Sequence, residues 1–136
     1  MRLAESLNAI SDPRSGQQLE QLDRVVGEAV PLECGAVEFR AMLGVFERFP
    51  EEDGHGVFWS IVHFLEKCEN YETELLQSVQ RLPCEFNLLM VSRLINGGVA
   101  CIAGQSLVAL LAGVASNPAV SESARRSAQG FVQYQK

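Results

Sequence analysis

The sequence predicts an all-α fold of about eight antiparallel helices, arranged as an α-solenoid or as a compact helical bundle. Apolar residues recur at helical spacing along most of the 136 residues, and no segment shows the convincing alternation of a strand. Proline, glycine and asparagine interrupt the pattern at short intervals, so short links and antiparallel neighbours are expected. No repeat period is visible, so a solenoid would be degenerate. The length fits one helical domain over residues 1–136.

Three helices are predicted in the first fifty residues. In residues 2–10 the apolar side chains share one face, and the helix stops before Pro13 because proline disfavours the helical conformation of the residue ahead of it. Ser15 followed by Gln18 matches a capping box and opens the second helix. The third is predicted over residues 36–48, where aromatic and aliphatic residues recur in register.

The middle of the chain, residues 54–98, is predicted to form three consecutive helices. Residues 57–68 are apolar on more than one face, so this helix must be covered on two sides. Residues 71–82 are amphipathic, with Asn70 as the expected cap, and residues 85–96 are again mostly apolar. This block is therefore expected at the centre of the fold.

Two further helices are predicted after this block. Residues 96–98 stop the sixth helix, because asparagine and glycine tolerate the left-handed conformation of a helix end. Residues 99–104 are apolar and partly β-branched, and they are interpreted as a buried loop because no partner strand is visible. Helix seven is expected over residues 105–115, and Asn117 with Pro118 is expected to cap helix eight.

Composition and the first residues of the sequence predict a cytoplasmic protein. The chain is 47% hydrophobic and 21% charged, which is typical of globular domains. No apolar run approaches the roughly 20 residues that span a bilayer, and the first residues lack the apolar stretch of a secretory signal. No membrane partner is expected. The cysteines are too widely spaced for a CxxC pair and are expected as buried, reduced thiols: Cys34, Cys68, Cys84 and Cys101.

The net charge of −6 is concentrated in the first half of the chain. Residues 1–68 hold twelve Asp and Glu against six Lys and Arg, whereas residues 69–136 hold five of each. An acidic surface repels nucleic acid and attracts basic proteins, although moderate acidity also serves solubility. The one basic pair, Arg125 and Arg126, is too small for a nucleic-acid footprint, so no nucleic-acid partner is expected.

The sequence shows no convincing catalytic or metal-binding pattern. A dyad of His63 with Cys68 or Cys84 is chemically possible, but no nucleophile turn, oxyanion loop or orienting carboxylate accompanies it. The carboxylates at 51–53 beside His55 lack the alternation of a calcium loop, which favours a solvated capping turn. Glycine loops that bind phosphate are absent. We therefore expect a protein-binding protein that is not an enzyme and has no cofactor or metal.

The central block resembles a known family. Residues 51–98 are similar to the pattern DGxGVFWSxxHxLE…YExxLxxSVxRxPxEFxxxMxxRLxNxG of small bacterial immunity proteins encoded beside polymorphic or contact-dependent growth-inhibition toxins. The matching positions are Asp53, Gly54, Gly56, Val57, Phe58, Trp59, Ser60, His63, Leu65, Glu66, Tyr71, Glu72, Leu75, Ser78, Val79, Arg81, Pro83, Glu85, Phe86, Met90, Arg93, Leu94, Asn96 and Gly98. Cys84 and His55 depart from the pattern.

The resemblance implies an all-helical, HEAT-like protein that binds a cognate toxin domain and blocks its activity without catalytic residues of its own. Much of the pattern can serve the fold: Phe58, Leu65, Phe86 and Met90 are expected in the core. Its polar and amphipathic positions could contact the toxin, or could form a buried hydrogen-bonded network that holds the three helices together. These positions are Trp59, His63, Tyr71, Glu72, Glu85, Arg93 and Asn96.

The charge asymmetry suggests how such a protein would act. If the toxin is a nuclease, its substrate cleft must be basic, and the acidic first half of this chain would occupy that cleft or pair with its rim. The candidate partner-binding residues are Glu47, Glu51, Glu52 and Asp53, with His55 and Trp59 as anchors and Glu33 and Glu38 as neighbours. The alternative is a helical-repeat adaptor or chaperone that binds an endogenous protein. The oligomeric state is left open.

Overall fold

A computed structural model of the protein describes residues 2–134. Within them the chain forms eight α-helices, two 3₁₀ turns and one short β-hairpin. The helices are α1 (Arg2–Asn8), α2 (Gly16–Glu28), α3 (Ala36–Arg48), α4 (Phe58–Lys67), α5 (Glu72–Arg81), α6 (Glu85–Asn96), α7 (Leu107–Ala115) and α8 (Glu122–Tyr134). The 3₁₀ turns are Pro31–Glu33 and Gly54–Gly56, and the strands are β1 (Cys101–Ile102) and β2 (Gln105–Ser106). The predicted all-α class is confirmed.

The helices pack in two layers. Helices α1, α3 and α5 follow one another in one layer, and α2, α4, α6 and α8 follow one another in the second. Contacts of α1 with α2, α3 with α4 and α5 with α6 join the layers, and α7 packs against α6 and α8. This is the neighbour order of stacked helix pairs, as in a short α-solenoid.

Three phenylalanines from three helices form the centre of the core. The ring centroids of Phe46 and Phe86 are 5.1 Å apart, and each lies 5.7 Å from the ring of Phe58. These are ordinary distances for aromatic pairs. Phe58, Leu65, Phe86 and Met90 are all buried, as predicted. The middle of the chain therefore supplies most of this centre, with α3 contributing the third ring.

The start of α2 forms one of the two hydrogen bonds of the predicted capping box. The Ser15 hydroxyl accepts a hydrogen bond from the Gln18 amide at 3.3 Å, as expected of an N-cap. The Gln18 side chain does not return to the Ser15 backbone. Its Oε1 instead accepts from the amides of Ser11 and Asp12, at 2.8 and 2.9 Å. Gln18 thus fixes the α1–α2 connection as well as the helix end.

The prediction of a buried loop over residues 99–104 is wrong. Strand β1 pairs antiparallel with β2 through a two-residue turn, in which Ala103 and Gly104 have φ values of 50° and 80°. Two consecutive positive φ angles are the signature of tight hairpin turns. Ile102 is buried, but Cys101 and Ala103 are exposed. The partner strand was missed because its residues were assigned to helix seven, which in fact begins after Ser106.

Two predicted helix caps are also wrong. Asn70 has a φ of 66° and lies in the left-handed region, ahead of an N-cap for α5 that makes no side-chain hydrogen bond. The Asn117 side chain accepts from the Ala119 amide at 2.9 Å and forms a turn before α8. The cap of α8 is Ser121, whose hydroxyl accepts from the Ala124 amide at 3.2 Å. Asparagine serves turns as well as caps, and spacing alone did not separate the two uses.

Candidate protein-binding surface

The outer face of α4 carries an aromatic pair. Phe58, Ile61 and Leu65 point into the core, and the opposite face presents Trp59 and, one turn later, His63. Trp59 is the single tryptophan of the chain and is 36% exposed. Its ring centroid lies 5.7 Å from that of His63. The fold therefore holds a large aromatic side chain at the surface of its second layer.

Beside this aromatic pair lies an open groove of about 650 Å³ between α4, α6 and α8. We call it the α4–α6–α8 groove. Its size falls within the range of about 300–1,000 Å³ that is usual for ligand sites. The side chains that define it are Asp53, Trp59, Glu85, Arg93, Phe131 and Tyr134.

The floor of the α4–α6–α8 groove is apolar. The Trp59 ring and the buried Phe86 ring form a T-shaped contact, with centroids 5.9 Å apart and planes at 77°. Leu89 from α6 and Phe131 from α8 line the groove and are half-buried. Gly130, also in the lining, adds no side chain to the wall. An aromatic floor that continues into the core is rigid and suits the burial of a partner's apolar side chain.

Arg93 from α6 positions the indole of Trp59. Its guanidinium carbon lies 5.6 Å from the Trp59 ring centroid, a cation–π distance. The same guanidinium donates two hydrogen bonds to the Glu66 carboxylate, at 2.6 and 2.8 Å, and these bonds raise its pKa. Arg93 thus joins α4 to α6 at the surface. Its hydrogen-bond partner Glu66 is not one of the positions suggested for a buried network, and the pair is half-exposed rather than buried.

Two carboxylates in the groove, Asp53 and Glu85, belong to residues that form no ion pair among the described residues. Asp53 precedes α4, and its Oδ1 accepts from the His55 amide at 2.9 Å. Glu85 opens α6 and is exposed. In the part of the chain that the structure describes, neither carboxylate forms an ion pair, whereas the positive charge of Arg93 is offset by Glu66. The groove therefore carries a net negative charge.

A smaller groove of about 300 Å³ lies on the other side of α4, against α2. His63, Ser60 and Lys67 line it from α4. The Ser60 hydroxyl donates to the Asp23 carboxylate at 2.8 Å across the groove. Trp59 and His63 therefore lie on the part of α4 that separates the two grooves. Both grooves belong to the second helix layer.

Two of the predicted acidic residues are engaged inside the fold. Glu38 is 7% exposed, and its carboxylate accepts from the Gly35 amide at 2.8 Å, where it helps to cap α3. The Glu47 side chain is 12% exposed and is bonded to Arg81 and Ser78. Neither carboxylate is presented to a partner.

The other predicted residues are at the surface but do not form one cluster. Glu52 is half-buried and pairs with Arg14, with N···O 2.8 Å. Glu51 is exposed and lies beside the start of α8, next to the α4–α6–α8 groove, and His55 is exposed in the turn that precedes α4. Glu33 lines a separate small groove against α1 and α2. Of the eight candidates, only Asp53 and Trp59 meet in one groove.

Sequence reasoning missed the part that α8 plays in this groove. Phe131 is half-buried and lines the groove together with Tyr134, which is 73% exposed. Glu85 and Arg93 were among the pattern positions for which toxin contact and a buried network were both left open. The signal that could have found the groove was the pattern itself, since Asp53 and Trp59 match it too.

Two features of residues 2–134 bear on metal binding and on thiol chemistry. No group of three His, Cys, Asp or Glu side chains is placed to hold a metal ion there. Burial raises the pKa of the Cys84 thiol to about 11 and also raises the pKa of Cys68, the opposite of what a thiolate nucleophile requires. None of the helices described here is both long and apolar enough to cross a membrane.

Fold and surface together define an all-α protein with an aromatic, acidic groove in its second helix layer. No family model, curated protein or solved structure matches the chain. Function is therefore argued from the groove and from the sequence pattern that supplies it.

Proposed function

We propose that this protein is an immunity protein, which binds a cognate bacterial toxin domain and blocks its activity. The observation that supports the proposal is that the fold brings separate parts of the sequence pattern together. Positions that match the immunity-protein pattern come from the turn before α4, from α4 and from α6, and they meet in the α4–α6–α8 groove. They are Asp53, Trp59, Glu85, Phe86, Arg93 and Asn96.

Other positions of the same pattern explain the fold rather than the groove. Phe58, Leu65 and Met90 are core residues, and Ser78 and Arg81 belong to a hydrogen-bonded network with Glu47. The pattern thus divides into a set that builds the central helices and a set that lines one surface groove. A pattern that served the fold alone would not require the second set.

The groove has the composition of a protein interface. Its floor holds aromatic side chains, and its rim is polar and charged, which is the usual division between the core and the rim of an interface. Tryptophan and tyrosine are among the residues that most often dominate binding energy. Blocking a toxin needs no catalytic group from the inhibitor, since covering the toxin's substrate cleft is enough.

The net negative charge of the groove supports a basic partner surface. A toxin domain that cleaves nucleic acid needs a basic cleft, and Asp53 and Glu85 would complement it. Glu51 and His55, exposed near the same end of α4, extend this face. Glu38 and Glu47 are given no contact role, because both are bonded inside the fold.

The test is rescue of a bacterium that expresses the toxin domain encoded immediately upstream. Co-expression of this protein should restore growth, and the two chains should co-purify. Trp59→Ala should weaken both effects. Val108→Ala should leave both unchanged, since Val108 is also a surface hydrophobic residue, 46% exposed, but lies on α7 outside the groove.

One observation favours the alternative of an adaptor for an endogenous partner. Leu32 is 93% exposed, and Val30, on the same α2–α3 connection, and Val37, in the first turn of α3, are 45% and 59% exposed. Neighbouring exposed apolar side chains mark interaction surfaces. Under this alternative, loss of the protein would have the same effect with or without the toxin gene. An immunity protein would be dispensable once that gene is deleted.

A further inference from the structure

We infer that the α4–α6–α8 groove receives a cationic segment of the toxin domain, with a Lys or Arg side chain at the rim formed by Asp53 and Glu85 and an apolar side chain on the floor. The inference rests on the proposed function and specifies the chemistry that the partner presents to this groove. It is argued from charge, from the aromatic floor and from the size of the groove.

Charge determines the sign of the partner's side chains. One oxygen of the Asp53 carboxylate accepts a hydrogen bond from the His55 amide, and neither Asp53 nor Glu85 forms an ion pair within residues 2–134. Two carboxylates beside an apolar floor attract a cation more strongly than two carboxylates in open water, because the floor lowers the local dielectric constant. A Lys or Arg side chain would offset both charges.

Arg93 does not make the groove suitable for an anion. Both of its hydrogen bonds described above go to Glu66, and its remaining face lies over Trp59. A phosphate or a nucleic acid strand would have to compete with Glu66 and would face Asp53 and Glu85 at the same time. The groove therefore disfavours nucleic acid and favours a basic peptide segment.

The aromatic floor accounts for the second side chain of the proposed segment. Trp59, Phe131 and Tyr134 leave apolar surface in the groove, and Trp59 is held in place by Phe86 and Arg93. A rigid aromatic side chain gives binding energy at low entropic cost. The volume of about 650 Å³ accommodates a few side chains rather than a whole domain.

A second copy of this chain is a poor occupant by the same argument. The chain carries a net charge of −6, so two copies repel each other in general. Its one basic pair, Arg125 and Arg126, lies on α8 itself, where Arg125 is half-buried and Arg126 is already paired with Glu122 at 2.6 Å. The inference therefore commits to a basic segment of another protein.

The experiment measures the affinity of the full-length protein for the purified toxin domain at several salt concentrations. The test variant is Asp53→Asn with Glu85→Gln, in which asparagine keeps the oxygen that accepts from the His55 amide. The control variant is Glu5→Gln with Glu69→Gln. It also removes two negative charges, but at exposed positions outside the groove. Thermal unfolding checks that both variants remain folded.

The test variant should bind the toxin domain at least about tenfold more weakly, with a reduced dependence of affinity on salt, whereas the control should bind like the unaltered protein. Amide hydrogen exchange in the complex should slow in α4, α6 and α8. If the test variant binds as tightly as the control, the inference is overturned and the proposed function stands. If the unaltered protein forms no complex at all, both are overturned.

Discussion

Glu47 on α3 and Arg81 on α5 form an ion pair through two hydrogen bonds, both of 2.7 Å. The same carboxylate accepts from the Ser78 hydroxyl at 2.7 Å, and Ser78 accepts from the Asn87 amide group at 3.0 Å. Asn87 is fully buried and also accepts from the Cys84 amide at 2.8 Å. One hydrogen-bonded network therefore joins α3, α5 and α6.

This network predicts that Glu47→Ala lowers stability without lowering affinity for a partner. The change leaves the Arg81 guanidinium and the buried Ser78 hydroxyl without their acceptor, so a loss of about 2 kcal/mol is expected in urea unfolding. Glu122→Ala is the control, since it breaks the exposed Glu122–Arg126 pair and should cost about 0.5 kcal/mol or less. Normal stability combined with lost toxin binding in Glu47→Ala would contradict this assignment.

Gly54 and Gly56, both in the turn before α4, allow the effect of alanine to be compared at two similar backbone positions. Both have positive φ, 59° and 91°, so alanine costs about 1 kcal/mol at either position through the backbone alone. A Cβ at Gly54 would also lie 2.6 Å from Cδ1 of the buried Phe58, whereas nothing lies within 4 Å of a Cβ at Gly56.

Gly54→Ala should therefore lower the melting temperature clearly more than Gly56→Ala, with an additional cost of about 1–3 kcal/mol from the clash. Differential scanning calorimetry of the two variants checks the order. Equal losses would show that the backbone angle, and not the contact with Phe58, makes glycine necessary at position 54.

Tyr71 predicts a loss of stability at high pH. Burial raises the pKa of its phenol to about 12, above the value of about 10 expected in the unfolded chain. A pKa that is higher in the folded state gives stability that is complete below pH ~10 and is lost as the pH rises toward 12. Cys84, whose pKa is raised to about 11, contributes in the same direction.

Tyr71→Phe should therefore lose less unfolding free energy between pH 10 and 12 than the unaltered protein. Tyr134→Phe is the control, because Tyr134 is 73% exposed, and it should follow the unaltered protein. The measurement is urea unfolding at a series of pH values. The same pH dependence in all three proteins would argue against a buried, neutral phenol at position 71.

The four free thiols should differ in their reaction with alkylating reagents. Cys101 is exposed on the hairpin, Cys34 is half-buried, and Cys68 and Cys84 are buried. Burial raises the pKa of Cys34, Cys68 and Cys84, which lowers their thiolate fraction at pH 8. Iodoacetamide should modify Cys101 first, and Cys84 only on unfolding.

Peptide mass spectrometry after timed alkylation measures this order. Cys101→Ser should remove the fast phase and leave the rest unchanged. Early modification of Cys84 in folded protein would mean that α6 opens locally, since Cys84 is 2% exposed at the start of that helix.

The helices could be predicted from the sequence because their signals are local. The bounds predicted for α3 and α6 agree with the structure, since each helix has a continuous apolar period and a clear stop. The β-hairpin was missed because its partner strand is two residues long and lies directly before a helix. Such a strand has no period of its own that a sequence pattern could reveal.

The candidate surface was harder to predict, because exposure is not a local property. Glu38 and Glu47 resemble surface acids in the sequence, but their carboxylates are bonded inside the fold. For Glu38 a local signal existed, since it lies three residues after the glycine that opens α3. For Glu47 no local signal existed, because Arg81 lies 34 residues away and on another helix.

The sequence by itself determined the fold class, the helices and the core positions, because helical periodicity, proline and glycine act over a few residues. Only the tertiary structure decided which charges remain available and which residues form one surface. Trp59, Glu85 and Tyr134 meet in a groove because α4, α6 and α8 pack side by side. Their proximity depends on the packing of helices distant in sequence, which no spacing along the chain encodes.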